Sequence, residues 1–218
     1  MNRDPEPALP NMRECYQLGK LNEGLLASDP MAQFQTWFDH ARTCGEVRES
    51  NAMTLATVSA QGMPSARTVL LKGLGAGFQF YTNFKSRKGK ELAANGKAAL
   101  VFLWKEIERQ VCVRGKVSRL PHDVVEAYFQ SRPYGSQIGA WASKQSLAIP
   151  DRAWLEERET ALRARYPEGK VPLPEFWGGF ELIPEALEFW QGRPGRLHDR
   201  FEYQQGKGGG WVCQRLCP

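Results

Sequence analysis

Apolar residues recur along this chain at two different periods, and the switch between them maps its elements. In "SDPMAQFQTWFDHA", Phe34, Trp37, Phe38 and Ala41 fall at helical spacing, with Ser28 or Asp29 as cap and Pro30 in the first turn. The period then becomes two. "AMTLATVSA", "PSARTVLLKGL" and "FQFYTN", joined by the glycine turns "QG" and "GAG", read as three strands. "SRKGKELAANG" is predicted to be a short helix stopping at Asn-Gly, and "AALVFLW" and "RQVCVRGKVSRL" add two strands.

A second helical zone follows. In "HDVVEAYFQSRP", Val124, Val125, Tyr128 and Phe129 lie near one face before a Pro-Tyr-Gly turn, and "DRAWLEERETALRARY" is a charged helix. "FWGGFELIPEALEFWQG" and "RLHDRFEYQQGKGGGWVCQRL" close the chain as strands, the latter a hairpin across "GKGGG". The expected class is mainly β with flanking helices, an antiparallel meander that a small domain closes into a barrel. Residues 1–27 are expected to be a flexible segment, with "MRECY" as a short ordered patch. Residues 28–218 form one domain, since no linker or internal repeat interrupts them.

Composition narrows the function. A chain of 218 residues buries roughly 70% of its unfolded surface, and the seven tryptophans and eleven phenylalanines favour aromatic packing or flat ligands. The net charge of +5 lacks any block of like charge, so nucleic acid is not the expected partner. Small phosphorylated molecules suit the same balance. Five cysteines form no CxxC pair and leave one over in any disulfide scheme, which favours a reduced, cytoplasmic setting. "MNRDPEPALP" is not a signal peptide, and no apolar run approaches the roughly 18 residues of a membrane span.

Two clusters are shaped for phosphate. Ser86, Arg87 and Lys88 stand where a strand turns into a helix, offering backbone N–H groups, a hydroxyl and two cations. Tyr128 and Arg132, at i and i+4 on one helix, precede Ser136. Arg67 and Lys72 end an otherwise apolar strand, and Gln145 with Ser146 sits in a loop, where an amide can read a heterocycle's edge. Taken singly, each reads equally as solvated charge or ordinary packing. If "RLHDRF" is extended, Arg196, His198 and Arg200 share one face, opposite Leu197, Asp199 and Phe201. Such a row of cations calls for an anion. No triphosphate loop, dinucleotide fingerprint, acyl-transfer elbow or metal-spaced cluster is present, and His40 and His122 read as surface residues.

With those residues placed, the chain resembles the pyridoxine (pyridoxamine) 5′-phosphate oxidase family from about Met12 to its end. The resemblance is carried by "RTVLLK", "FYTNFKSRKGKEL", "RQVCVRGKV", "YFQSRP", "SQIGAWASKQS", "VPLPEFWGGF", "EFWQG" and "RLHDRF", in that order. It implies a split β-barrel homodimer with one FMN per subunit, each site built at the subunit interface. The implied FMN contacts are Arg67, Thr68, Val69, Leu70, Leu71, Lys72, Tyr81, Thr82, Arg87, Lys88, Gln110, Gln145, Ser146, Trp190 and Arg200. Some of them reach across from the partner. Around the substrate phosphate it implies Lys72, Tyr128, Arg132 and Ser136, with Arg196 and His198 over the pyridine ring as the catalytic pair. Arg13 and Tyr16 belong to an N-terminal segment folded over the substrate. Glu14, Cys15 and Cys217 depart from the family pattern.

The resemblance implies a flavin oxidase of vitamin B6 metabolism. Pyridoxine or pyridoxamine 5′-phosphate is oxidised to pyridoxal 5′-phosphate, and dioxygen is reduced to hydrogen peroxide; the amine also releases ammonia. It needs no metal and no protein nucleophile. The competing readings are a split-barrel flavin protein using another substrate, for example a reductase, which would lack "RLHDR" and "YFQSRP", and a non-catalytic carrier of pyridoxal phosphate.

Overall fold

The computed structural model describes Leu9 and residues 14–206 and 208–218. Arg13, placed by resemblance over the substrate, lies outside the described residues. The chain divides into two compact units: residues 51–102 with 112–186, and residues 1–50 with 103–111 and 187–218. Among the described residues there are nine strands in one sheet. The strands are β1 Ala52–Val58, β2 Pro64–Leu70, β3 Gly73–Leu74, β4 Phe78–Asn83, β5 Lys97–Trp104, β6 Arg109–Arg119, β7 Trp177–Gln191, β8 Asp199–Gln205 and β9 Trp211–Leu216. The helices are α1 Pro30–Thr43, α2 Arg87–Asn95, α3 His122–Ser131, α4 Tyr134–Ala142 and α5 Arg152–Arg165.

The order β2-β1-β5-β6-β7-β4-β3 runs along the sheet, and β8 joins β7 to β9. The β1–β2 and β4–β7 pairs are antiparallel, with Leu55 opposite Arg67 and Tyr81 opposite Gly179. Short turns join β1 to β2, β3 to β4 and β8 to β9, but β1 also pairs with β5 and β4 with β7, so the sheet is not the plain meander that the sequence suggests.

In the unit containing residues 51–102 and 112–186, Met53, Leu55, Phe78, Phe80, Leu100, Phe102 and Leu182 are all at most 1% exposed. A second cluster joins Val125, Phe129, Ile138, Ala140, Val171 and Trp177. Helix α2 starts at Ser86, whose Oγ accepts from the Gly89 N–H, and stops at Gly96, whose φ of 67° suits glycine. Two expectations change here. Val124 is exposed on α3, because the face defined by Val125 and Phe129 points inward. The Pro-Tyr-Gly stretch is no free turn: Pro133 precedes the first turn of α4, where its fixed φ suits helix entry.

In the other unit, α1 buries Phe34, Trp37, Phe38 and Ala41, as its spacing requires, with Asp29 as cap. Phe34 and Phe38 face Trp104, and Trp37 meets Phe189 edge-on. The segment before α1 carries long-range hydrogen bonds: Glu108 accepts from the Gln17 and Leu18 N–H groups, Asp199 from Leu21, and Tyr203 donates to the Ala27 carbonyl. Among the described residues, no helix is long and apolar enough to cross a membrane, and no disulfide forms.

Candidate active site

Three groups of side chains hold the residues picked out from the sequence, two in the first unit and one in the second. The first surrounds the start of α2. Lys88 Nζ donates to Gln145 Oε1 at 2.9 Å, and Thr82 Oγ1 donates to the same oxygen at 3.1 Å. The Arg87 N–H donates to Ser146 Oγ at 3.2 Å. Thus the "KQS" loop, 57 residues on from Lys88, closes against the helix start that looked phosphate-shaped. Burial, reinforced by the charge of Arg67, pushes the Lys88 ammonium below its ordinary value, while Glu91 pulls it back.

Arg67 projects from β2 into a polar nest. Its guanidinium donates to the Leu55 carbonyl at 3.1 Å, to Thr57 and Ser65 hydroxyls, and to Glu91 at 3.3 Å. Strand β2 ends the strand order, so outward N–H and C=O groups along Arg67, Thr68, Val69 and Leu70 have no further strand to pair with among the described residues. The strand also stops at Leu70. Lys72 is exposed beyond it, and the strand end settles how Arg67 and Lys72, an odd number of residues apart, escape strict alternation.

The second group is aromatic. Tyr81 and Tyr128 stack at 3.8 Å between centroids, and both lie within 11° of parallel to Trp177. Gly179 makes room for this, for a Cβ there would stand 2.9 Å from the Tyr81 ring, and Gly178 leaves space for Phe84 in the same way. Arg132 lies over Trp177 at 4.6 Å and over Phe129 at 5.7 Å. It caps α3 in an extended conformation instead of continuing the helix. Its Nη1 is buried and has no hydrogen-bond partner among the described residues. Burial lowers the Arg132 pKa and raises those of Tyr81 and Tyr128. Ser136 sits in the first turn of α4, its N–H on the Pro133 carbonyl. An orphaned guanidinium nitrogen beside a phenol fits a phosphate oxygen well.

The third group belongs to the second unit. Tyr16 meets Trp190 at 5.6 Å and His198 at 5.5 Å, both edge-on, and Trp190 lies 4.6 Å from His198. The Arg193 N–H donates to His198 Nδ1 at 3.1 Å, so a neutral ring carries its proton on Nε2. Arg200 is held by Glu188 at 2.8 Å and by the Cys217 carbonyl. Gln110 is half-buried on β6.

The expected row of cations needs correction. Pro194–Arg196 form a 3₁₀ turn, with Gly195 and Arg196 both at positive φ, and extended structure begins only at Asp199. Arg196 is exposed, and no strand alternation links it to His198 and Arg200. Asp199 holds two cations, pairing with Arg215 at 2.9 Å and Arg193 at 3.5 Å. Among the described residues, Glu108, Ser146 and Arg196 are the non-glycine residues at positive φ. Two of the three are candidate contacts, and strain of this kind gathers at ligand sites.

Sequence reasoning assigned no role to Trp177 or Glu91. The glycine pair after Trp177 was a usable sign of close packing. Glu91 reads like any helix-surface glutamate until the sheet is laid beneath it.

Comparison with known proteins defines the class first. The chain superposes on a pyridoxamine 5′-phosphate oxidase-related, FMN binding protein of Nostoc punctiforme with a TM-score of 0.70 at 16% identity, over 88% of this chain and all of that one. On PhzG of Burkholderia lata, solved with tetrahydrophenazine-1-carboxylic acid, the TM-score is 0.83 at 28% identity, over 89% and 95% of the two chains. The fold is the mostly antiparallel split barrel. Residues 40–165 match the pyridoxamine 5′-phosphate oxidase family, and residues 177–218 match the pyridoxine 5′-phosphate oxidase C-terminal dimerisation region. The pyridoxine/pyridoxamine 5′-phosphate oxidase of Cupriavidus pinatubonensis is 54% identical over 96% of this chain and 99% of its own, and that of Bordetella petrii 52% over 95% and 98%. The chain belongs to the pyridoxine/pyridoxamine 5′-phosphate oxidase family.

Proposed function

We infer that this protein oxidises pyridoxine 5′-phosphate and pyridoxamine 5′-phosphate to pyridoxal 5′-phosphate with FMN as cofactor. The observation that carries the substrate assignment is Arg132, whose buried Nη1 has no partner among the described residues beside the half-buried phenol of Tyr128. Burying an unpaired donor is costly, and a phosphate oxygen would remove that cost. Lys72 and Ser136 complete the phosphate subsite, and Arg196 and His198 serve the pyridine ring, with Arg13 and Tyr16 covering it.

The donor set at α2 suits the FMN phosphate: Arg67, Arg87 and Lys88 are cations, and the helix start adds N–H groups and a favourable dipole. Thr68 to Lys72, Tyr81, Thr82, Gln110, Gln145, Ser146, Trp190 and Arg200 make the remaining contacts. FMN, when bound, would supply two-electron redox chemistry, in which the substrate's C4′ carbon would lose a hydride and its hydroxyl or amine a proton, and dioxygen would take up two electrons and two protons to leave as hydrogen peroxide. The chain's own residues orient and exclude water. His198, with Nδ1 occupied by the Arg193 N–H, presents its Nε2 proton as a donor. Arg196 stabilises charge as the substrate is oxidised.

The match of residues 177–218 to a dimerisation region supports a homodimer. The finer proposal is that each FMN site lies at the subunit interface, that residues 28–218 act as one FMN-binding domain, and that the enzyme is cytoplasmic. The test is direct. Purified protein should be yellow, have a mass near twice the 24.6 kDa of one chain, and consume oxygen with either substrate while forming peroxide. Flavin-loaded protein that turns over neither substrate rejects the activity, and a monomer with full activity rejects the shared site. Arg196→Ala should lower kcat/KM on the order of 10²-fold, with His198→Ala costing less and FMN retained in both.

A further inference from the structure

Glu91 is a charged side chain only 8% exposed, on the inner face of α2. One of its oxygens, Oε2, accepts from Thr57 Oγ1 at 2.5 Å, from Ser65 Oγ at 2.7 Å and from Arg67 Nη2 at 3.3 Å. A carboxylate has no proton to give, so both hydroxyls must spend their single hydrogens on it. Only their lone pairs then remain, and Arg67 uses both: Nη1 donates to Thr57 Oγ1 and Nη2 to Ser65 Oγ. The Leu55 carbonyl takes a further bond from Nη1. Hydrogen-bond direction therefore runs one way, from guanidinium through hydroxyl to carboxylate, and it locks the Arg67 rotamer from β1, β2 and α2 together.

We propose that Glu91 is a positioning residue for cofactor binding: it directs the Thr57 and Ser65 hydroxyls and thereby sets Arg67 to receive the FMN phosphate. This rests on the FMN reading above. Burial alone would raise the Glu91 pKa, but the two hydroxyls and Arg67 outweigh it and hold the group below the ordinary carboxylate range. The network thus stays ionised at neutral pH.

The experiment titrates flavin-free protein with FMN and, as a phosphate-free probe, riboflavin, following flavin fluorescence. The variants are Glu91→Gln, Glu91→Ala, Arg67→Ala and the Glu91→Ala/Arg67→Ala double variant, with circular dichroism to confirm folding. Glu91→Ala is expected to weaken FMN binding about tenfold, and Glu91→Gln less, since an amide oxygen can still accept from the hydroxyls. Riboflavin affinity should not move. Glu91→Ala should add nothing to Arg67→Ala, because the residue acts through that arginine. An equal further loss in the Arg67→Ala background overturns the proposal, as does unchanged FMN affinity in both Glu91 variants or a parallel loss of riboflavin. If Arg67→Ala itself binds FMN normally, the FMN assignment of Arg67 fails first, and the two failures stay separable.

Discussion

Two arginines of one unit, Arg67 and Arg132, are both assigned to phosphates, yet the chain treats them in opposite ways. The two terminal nitrogens of Arg67 are held by a carbonyl, two hydroxyls and a carboxylate. Arg132 is held by ring faces, and its Nη1 makes no bond to the described residues. Aromatic faces attract a cation without occupying its N–H groups, so Arg132 keeps donors in reserve for a ligand that comes and goes. Carboxylate and hydroxyls do occupy them, so Arg67 is fixed in place before any ligand arrives. The first arrangement suits a substrate that must leave each cycle; the second suits a resident cofactor, for which preorganisation reduces the ordering cost of binding.

Removing each side should then break different observables. The largest effect is expected from Arg132→Ala, which should lower kcat/KM on the order of 10²-fold or more, chiefly through KM, in steady-state assays with pyridoxine 5′-phosphate. FMN content should stay normal. Loss of flavin instead would erase the distinction between the two arginines. Next, Arg87→Ala with Lys88→Ala should weaken FMN about tenfold or more by equilibrium titration, with KM for substrate little changed in the fully loaded enzyme.

A smaller effect sharpens the aromatic side. Trp177→Leu removes the ring beneath Arg132 and one layer of the stack with Tyr81 and Tyr128, and should raise KM by roughly 3- to 10-fold. The smallest concerns pH. Glu91 is held below its unfolded value of about 4.3, so its ionised network stabilises the fold above that pH. The contribution disappears as pH falls through the lowered folded-state value. Thermal melts at stepwise lower pH should show wild type losing about 2–4 °C more than Glu91→Gln across that window. Parallel curves would mean that the network adds no pH-dependent stability.

Period and punctuation along the chain were enough to place α1 with its buried stripe, the β1–β2 pair, the Ser86 cap and the terminal hairpin, because these depend on contacts close in sequence, whereas the pairing of β4 with β7 does not. Motif order carried the family, since side-chain chemistry at fixed spacing survives without coordinates. What needed tertiary structure were the relations between distant segments. Helix α4 was hidden by a Pro-Tyr-Gly stretch that reads as a turn. Its inward-facing Gln137 and Ile138 pack only once α3 and the following strands are present. The cation row of "RLHDR" dissolved because Gly195 and Arg196 take positive φ, a backbone choice that alternation cannot anticipate. Glu91 became a partner of Arg67 only when the sheet set β1 beside β2 and laid α2 against them. A glutamate's burial is decided by what covers it, and that cover comes from residues 24 to 34 positions away.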